Sequence, residues 1–109
     1  MSIVTKGLVE VDPTVVAGWI AAGEAHVVDV REIEEWDEER VEGTVLAPMS
    51  DFELETFPID ATKRLVLMCA VGRRSAAIGN KLLQNGHTLA YNMTGGINGW
   101  KEAELPTLR

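Results

Sequence analysis

The single cysteine of this chain stands in a segment whose residue types favour a reactive thiolate. The segment reads Cys-Ala-Val-Gly-Arg-Arg-Ser from Cys69 to Ser75, between an apolar run at 65–68 and a helical pattern. At such a strand-to-helix junction, loop N–H groups and the positive end of the helix dipole point to one place. Arg73 and Arg74 add positive charge there. Because the thiolate is the nucleophilic form, the segment predicts an activated cysteine.

Three further positions of the segment have predicted roles. Gly72 permits a positive φ, which lets the loop curl and turn its amides inward. Arg74, at the start of the helix, is expected to brace the loop or to neutralise the thiolate. Ser75 is expected to cap that helix, with a hydroxyl that is also able to bond the loop. Together these residues favour a functional cysteine over the buried, inert one that a lone cysteine more often is.

Strands and helices alternate along the chain, which sets the fold class. Strands are expected at 8–11, 26–30, 45–47, 65–68 and 88–91. Helices are expected to begin at Pro13, to span 31–40, 50–57 and 75–84, and to close the chain around Trp100. Strands that are apolar along their length indicate an α/β fold with a five-stranded, mostly parallel sheet and helices on both faces. Asp29 and Cys69 should then lie at the same sheet edge, where ligand sites occur.

Length and cysteine content narrow the classes of protein. At 109 residues, the chain is expected to form one domain over 1–109. A single cysteine excludes an internal disulfide framework, and the sequence shows neither a secretory leader nor an apolar run of membrane-spanning length. We therefore expect a cytoplasmic protein with no membrane partner.

The net charge of −7 is unevenly distributed. Residues 24–60 hold thirteen acidic and two basic residues, whereas residues 61–109 hold two acidic and seven basic ones. No basic stripe with interleaved aromatic residues occurs, so nucleic acid is not an expected partner, while a small anion at the cysteine is. His26 and His87 lack neighbours at metal-ligand spacing, so no metal and no other cofactor is expected.

Four motifs in the same order resemble the rhodanese-like domains, which are sulfurtransferases. The segment Cys-x-x-Gly-x-Arg-Ser at 69–75 is similar to the active loop of that family. The other three motifs are Val-Asp-Val-Arg-Glu at 28–32, Arg-Val-Glu-Gly-Thr-Val-Leu-Ala-Pro at 40–48, and Asn-Met-Thr-Gly-Gly-Ile-Asn-Gly-Trp at 92–100 followed by Leu105-Pro106. They cover about 80 residues, so the resemblance is more specific than any single motif.

The resemblance implies sulfur transfer through a persulfide on Cys69. A donor such as thiosulfate or a persulfide would pass its sulfane sulfur to this residue, and cyanide or a thiol, including one on an acceptor protein, would collect it. The anion-binding loop would comprise Ala70, Val71, Gly72, Arg73, Arg74 and Ser75, with the amides of 70–74 stabilising thiolate and persulfide. Asp29 and Arg31 would support the site, and Asp29 is expected to bond the loop or pair with an arginine.

Three positions depart from the family pattern. Arg40 stands where the family usually has histidine. Some members that use thiosulfate carry an arginine where this chain has Glu35, and they often carry a basic residue where it has Ala70. Arg73 is the candidate for supplying the missing positive charge, so the sequence leaves thiosulfate open as a donor.

Two rival functions share this fold. A cysteine phosphatase needs one more loop residue to surround a phosphate group, and only four residues separate Cys69 from Arg74. A non-catalytic docking module commonly lacks the cysteine, whereas this chain keeps Cys69, Gly72 and Arg74. The sequence therefore favours a sulfurtransferase over both.

Overall fold

Five parallel strands form one sheet in the computed structural model, which describes residues 7–109. The expected domain includes residues 1–6, which lie outside the described residues. The strands are β1 (Gly7–Val11), β2 (Ala25–Asp29), β3 (Thr44–Leu46), β4 (Arg64–Met68) and β5 (Leu89–Met93). Their order across the sheet is β1-β5-β4-β2-β3, and each neighbouring pair is parallel. The predicted five-stranded α/β fold is confirmed.

Helices cover both faces of the sheet, as a parallel sheet with apolar strands requires. They are α1 (Pro13–Ala21), α2 (Ile33–Glu38), α3 (Arg73–Gln84) and α4 (Gly96–Glu102). Val16 of α1 and Trp100 of α4 belong to one buried cluster, whereas Ile78 and Leu82 of α3 belong to the other. Within residues 7–109, no helix is both long and apolar enough to cross a membrane.

The alternation of β4 determines which way the cysteine faces. Val66 and Met68 belong to the cluster with α1 and α4, and Leu67 belongs to the cluster with α3. Successive side chains of a strand point to opposite faces, so Cys69 continues the series on the α3 face, where it is fully buried. The strand therefore delivers its sulfur to the start of α3.

The predicted helix over 50–57 is wrong. The segment forms two short 3-10 turns, Met49–Asp51 and Leu54–Thr56, separated by extended residues. Phe52 and Phe57 both pack against the α3 side of the core, with ring centroids 5.6 Å apart. Residues five apart on an α-helix point about 140° away from each other. Two separate turns let both rings face the same core.

The predicted helix over 31–40 is longer than the observed α2. Glu32 and Glu35 form a reciprocal capping box, which starts the helix at Ile33. Arg31 lies before the helix, and its side chain is bonded to Asp29. Glu39 adopts an extended backbone and ends the helix. The acidic run therefore makes fewer than two turns of helix rather than nearly three.

Candidate active site

The sulfur of Cys69 lies directly beyond the carboxyl end of β4, inside the turn that leads into α3. We call residues 69–75 the cysteine loop. Its sulfur accepts hydrogen bonds from the N–H of Gly72 at 3.1 Å and from the N–H of Ser75 at 3.5 Å, and the Ser75 hydroxyl is within hydrogen-bond reach at 3.4 Å. Donors gathered around a sulfur stabilise its anion more than its neutral form.

The pKa of the Cys69 thiol reflects two opposing effects. Burial raises the pKa, because it disfavours the charged form. Hydrogen bonds from the hydroxyl and N–H of Ser75, and from the N–H groups of Gly72 and Val71, lower it by more. The result is a pKa below the ordinary value of 9.0. The loop can therefore hold a thiolate in a buried position.

The amides of the cysteine loop contribute unequally. Gly72 and Ser75 donate directly to the sulfur. Among the hydrogen bonds of the described residues, none runs from the amides of Ala70, Arg73 or Arg74 to that sulfur. That these three amides bind the outer sulfur of a persulfide on Cys69 stays a prediction.

Gly72 has the positive φ that its position predicts, at 99°. A Cβ at Gly72 would meet its nearest neighbours, the Asn92 side chain and the Gly95 amide, only at 3.6 Å. Space alone therefore does not demand glycine. The left-handed backbone does, because other residues adopt it at a cost of about 1–2 kcal/mol.

Ser75 does not cap the helix, contrary to the sequence-based expectation. α3 begins at Arg73, and its cap residue is Gly72, whose left-handed backbone already turns the chain. Ser75 therefore falls in the first helical turn and faces inward, fully buried. Its hydroxyl lies 3.4 Å from Cys69 Sγ and 2.6 Å from Asn92 Oδ1. It is a contact of the sulfur rather than an end of the helix.

Arg74 joins the cysteine loop to α2. Its two terminal nitrogens donate to the two carboxylate oxygens of Glu35 at 2.8 and 2.9 Å. The hydrogen bond from Arg74 lowers the pKa of Glu35 to about 2, and the same bond raises the pKa of Arg74. The neighbouring Cys69 raises the pKa of Arg74 further, as expected for a guanidinium near a thiolate. Arg74 therefore braces the loop while remaining close to the sulfur.

Asp29 and Arg31 form a buried ion pair behind α2. Arg31 Nη2 donates to Asp29 Oδ2 at 2.8 Å, and Arg31 Nε donates to both carboxylate oxygens at 3.0 Å. The same guanidinium reaches the carbonyl oxygens of Glu35 at 3.4 Å and Glu39 at 2.8 Å. Of the two contacts expected for Asp29, the structure shows the pairing with an arginine. The pair fixes α2, and through Glu35 it supports Arg74.

The start of α4 holds the cysteine loop from the other side, a role that the sequence did not reveal. The N–H groups of Ile97 and Asn98 donate to the carbonyl oxygens of Cys69 and Ala70 at 2.8 and 3.1 Å. Gly96 lies so close to this peptide that a Cβ would stand 2.3 Å from the Cys69 oxygen. The adjacent glycines at 95–96 mark a turn in the sequence, but only the structure shows what the second one contacts.

Asn92, and Glu10 behind it, were not predicted as part of the site. Asn92 of β5 accepts the hydrogen bond from Ser75 and donates from Nδ2 to Glu10 at 2.9 Å and to the Gly72 carbonyl at 3.0 Å. A buried asparagine in a strand that is otherwise apolar is the signal that could have drawn attention to it.

The family model described as "Rhodanese-like domain" matches residues 12–103, which contain the whole cysteine loop and its contacts with α2, Asn92 and α4. The chain belongs to that family. Rhodanese-like domains of known structure confirm the fold. A rhodanese-related protein from Thermoplasma volcanium superposes with a TM-score of 0.76 at 28% identity, over 92% of this chain and 97% of that one.

Two curated relatives are longer than this chain. The "Putative sulfur carrier protein YrkF" of Bacillus subtilis is 27% identical over 75 residues, which cover 69% of this chain and 40% of that protein. The chloroplastic "Rhodanese-like/PpiC domain-containing protein 12" of Arabidopsis thaliana is 32% identical over 93 residues, 77% of this chain and 30% of that protein. The chain thus spans less than half of either relative. These matches support a family of the sulfurtransferase type.

Proposed function

We propose that this rhodanese-like domain is an enzyme that transfers sulfane sulfur through a persulfide on Cys69. The observation that carries the proposal is the set of donors on one buried sulfur, the N–H of Gly72 and the N–H and hydroxyl of Ser75. Such a site ionises the thiol without a general base, since the hydrogen bonds themselves lower its pKa. The remaining residues of the cysteine loop, Ala70, Val71, Arg73 and Arg74, would surround the incoming anion.

The transfer takes two displacements on sulfur. In the first, the Cys69 thiolate attacks the sulfane sulfur of the donor, a bond to Sγ forms, and the donor's own bond to that sulfur breaks. The electron pair leaves with the donor fragment, which is sulfite for thiosulfate or a thiolate for a persulfide. In the second, cyanide or an acceptor thiolate attacks the outer sulfur, and Sγ departs as a thiolate. No net oxidant or reductant is consumed, so no redox cofactor is required.

The charge of the loop favours a persulfide over thiosulfate as the donor. Arg74 is engaged on both of its terminal nitrogens by Glu35, so its charge is largely balanced. Arg73 is exposed and is the cation that remains for an incoming anion. Thiosulfate carries two negative charges, so it is stabilised less by this loop than by a loop with two unpaired cations. A persulfide carries one negative charge, which one cation can balance. A protein that carries a persulfide is therefore a suitable partner.

A lone free thiol that must accept and release sulfur also fits a reducing compartment. We therefore infer a cytoplasmic location.

Intact-mass measurement after incubation with cysteine persulfide, polysulfide or thiosulfate tests the proposal. We expect one added sulfur atom, its loss on addition of cyanide or a thiol, and faster loading from persulfide than from thiosulfate. The Cys69→Ser variant should stay folded by circular dichroism and take up no sulfur. If no donor adds sulfur to the wild-type protein, a docking module or a phosphatase would become the better reading; hydrolysis of an aryl phosphate then separates those two.

A further inference from the structure

Asn92 and Cys69 compete for the one hydrogen of the Ser75 hydroxyl. The hydroxyl oxygen lies 2.6 Å from Asn92 Oδ1 and 3.4 Å from Cys69 Sγ, within hydrogen-bond reach of both. A serine hydroxyl carries a single hydrogen, so it can donate in only one of these directions at a time. All three side chains are buried, so water does not supply a substitute donor readily.

The orientation of the Asn92 amide is fixed by its other contacts. Its Nδ2 lies 2.9 Å from the Glu10 carboxylate and 3.0 Å from the Gly72 carbonyl, which are both acceptors. Only the NH2 group of the amide can face two acceptors, so Oδ1 must face Ser75. Glu10 itself is held by Thr94, whose hydroxyl donates to it at 3.2 Å. Asn92 Oδ1 is therefore held in place as an acceptor for the hydrogen of the Ser75 hydroxyl.

The two directions of the hydroxyl suit different states of the sulfur. When the hydrogen points to Asn92, the Ser75 oxygen presents a lone pair to Cys69, which suits a thiol that donates its own hydrogen. A thiolate would be repelled by that lone pair, so ionisation turns the hydroxyl toward Sγ. The turn leaves the buried Oδ1 of Asn92 without a donor, which carries a cost.

We propose that Asn92 is a positioning residue that controls the ionisation of Cys69 through the Ser75 hydrogen. Glu10 anchors the amide, and the chain from Glu10 through Asn92 and Ser75 opposes the thiolate that the loop amides favour. The hydroxyl thus acts as a two-position donor, directed to Asn92 in the thiol and to Sγ in the thiolate.

The same device serves the second displacement of the proposed sulfur transfer, on which this step of the argument rests. In the persulfide, negative charge lies mainly on the outer sulfur, and Sγ is bonded on both sides, so the hydrogen returns to Asn92. When an acceptor attacks the outer sulfur, the bond to Sγ breaks and the electron pair stays on Sγ. Ser75 then turns its hydrogen to the departing thiolate, while the proton remains on the serine oxygen.

Other charged groups on the elements around the cysteine also influence its ionisation, and the experiment must separate them from Asn92. They are Arg74 of α3, Glu35 of α2, Glu10 of β1 and the Asp29–Arg31 pair that follows β2. Arg74 favours the thiolate and the carboxylates oppose it. Apart from the share of the Glu10 effect that runs through Asn92, their effects do not pass through the Ser75 hydroxyl, so they should persist when that hydroxyl is removed.

A double-mutant cycle with Asn92→Ala and Ser75→Ala tests the proposal. The readout is the pH profile of iodoacetamide alkylation of the sulfur-free protein. Ser75→Ala should move the profile to higher pH. Asn92→Ala should move it to lower pH, with the thiolate fraction below the midpoint rising about three- to tenfold, as one hydrogen bond released to sulfur implies. In the Ser75→Ala background, Asn92→Ala should have no effect.

A shift of the Asn92→Ala profile to higher pH, no shift, or a shift that survives in the Ser75→Ala background would overturn the proposal. Should Asn92→Ala fail to fold, Glu10→Gln, at an exposed position, gives the second test. Glu10→Gln should shift the alkylation profile to lower pH by less than Asn92→Ala does. In the Ser75→Ala background its shift should be smaller still. An equal shift in both backgrounds contradicts the relay.

Sulfur loading by intact mass, measured on the same variants, keeps the two proposals distinct. If the double-mutant cycle gives a contradicting result while the protein still takes up sulfur, only the proposed role of Asn92 is wrong. Failure to load sulfur in a protein whose cycle behaves as expected removes only the transferase.

Discussion

Gly96 and Cys69 are in direct backbone contact, so that a Cβ on Gly96 would stand 2.3 Å from the carbonyl oxygen of Cys69. The contact lets the first N–H groups of α4 reach the carbonyl groups of the cysteine loop. The loop is thereby held on its carbonyl side by α4, while the N–H groups of Gly72 and Ser75 face the sulfur. Precise placement of the sulfur depends on a residue that has no side chain.

Gly96→Ala should destabilise the protein more than Gly23→Ala does. Gly23 has φ +72° and open space around it, so alanine there carries only the left-handed backbone cost of about 1–2 kcal/mol. Gly96 has a similar φ of +58°, but alanine must also displace the Cys69–Ala70 peptide, at a further cost of about 1–3 kcal/mol. Urea unfolding of both variants measures the difference. Equal losses would show that the contact is not tight.

Arg74→Ala should lower the fraction of Cys69 that is thiolate, whereas Arg73→Ala should lower that fraction less. Arg74 lies near enough to Cys69 for each to influence the ionisation of the other, and Arg73 is exposed at the helix start. We expect alkylation near neutral pH to slow about threefold or more in Arg74→Ala, because the thiolate loses a nearby cation. Persulfide formation should slow with it. The expectation fails if the two variants react at the same rate across the pH range.

Glu35→Gln should remove a contribution to stability that depends on pH. Because the pKa of Glu35 falls from 4.5 to about 2 in the folded protein, its carboxylate stabilises the fold above pH 4.5. That contribution disappears as the pH falls from 4.5 to about 2. The pair is a third exposed, so we expect a difference of only about 0.5–1 kcal/mol at neutral pH. Urea unfolding over this range measures it.

Glu34→Gln is the matched control for Glu35→Gln. It removes the same charge from an exposed neighbouring position on α2 without touching Arg74. The loss of unfolding free energy caused by Glu35→Gln should exceed that caused by Glu34→Gln at neutral pH, and it should shrink as the pH falls from 4.5 to about 2. Glu35→Gln should also speed loading from thiosulfate relative to persulfide, because it leaves the charge of Arg74 unbalanced. An unchanged ratio of the two rates would argue against charge as the basis of donor choice.

Asp29→Ala should be strongly destabilising, by about 3–5 kcal/mol. It leaves the guanidinium of Arg31 buried without its counterion. Replacing both partners, as in Asp29→Leu with Arg31→Met, should recover much of the loss, since neither charge then remains buried. Urea unfolding of the single and double variants tests this. If the double variant were as unstable as the sum of both single changes, the cost would lie in packing rather than in charge.

The fold was predictable because its signals are local. Pro13 opens α1, the apolar run before Cys69 is β4, and α3 follows it, each within a few residues of the predicted position. The exception, the segment 50–57, depends on where Phe52 and Phe57 must point, which is a property of the finished core. The spacing of Phe52 and Phe57 in the sequence does not by itself show that both rings reach the same part of the core.

The site was predictable only in part, for a related reason. Gly72 and Cys69 are near neighbours in sequence, so their geometry follows from one turn. The pairing of Arg74 with Glu35 joins positions 39 residues apart, and that of Asn92 with Glu10 joins positions 82 apart. Such contacts follow from the strand order, in which β5 lies between β1 and β4, and β4 lies beside β2. From charge alone, any of the many carboxylates of the chain could have been the partner of Arg74.

That strand order also fixes when the site can assemble as the chain is made. β1 hydrogen-bonds only to β5 among the described strands, although the two are separated by most of the sequence. β1 can therefore pair only after β5 has been made. The carbonyl groups of the cysteine loop likewise gain their donors only once α4 has formed. A ribosome delivers residues in order, so Cys69 emerges well before the segment that secures it. A chain arrested after α3 would lack the N–H groups of Ile97 and Asn98, so the carbonyl groups of Cys69 and Ala70 would be without these donors.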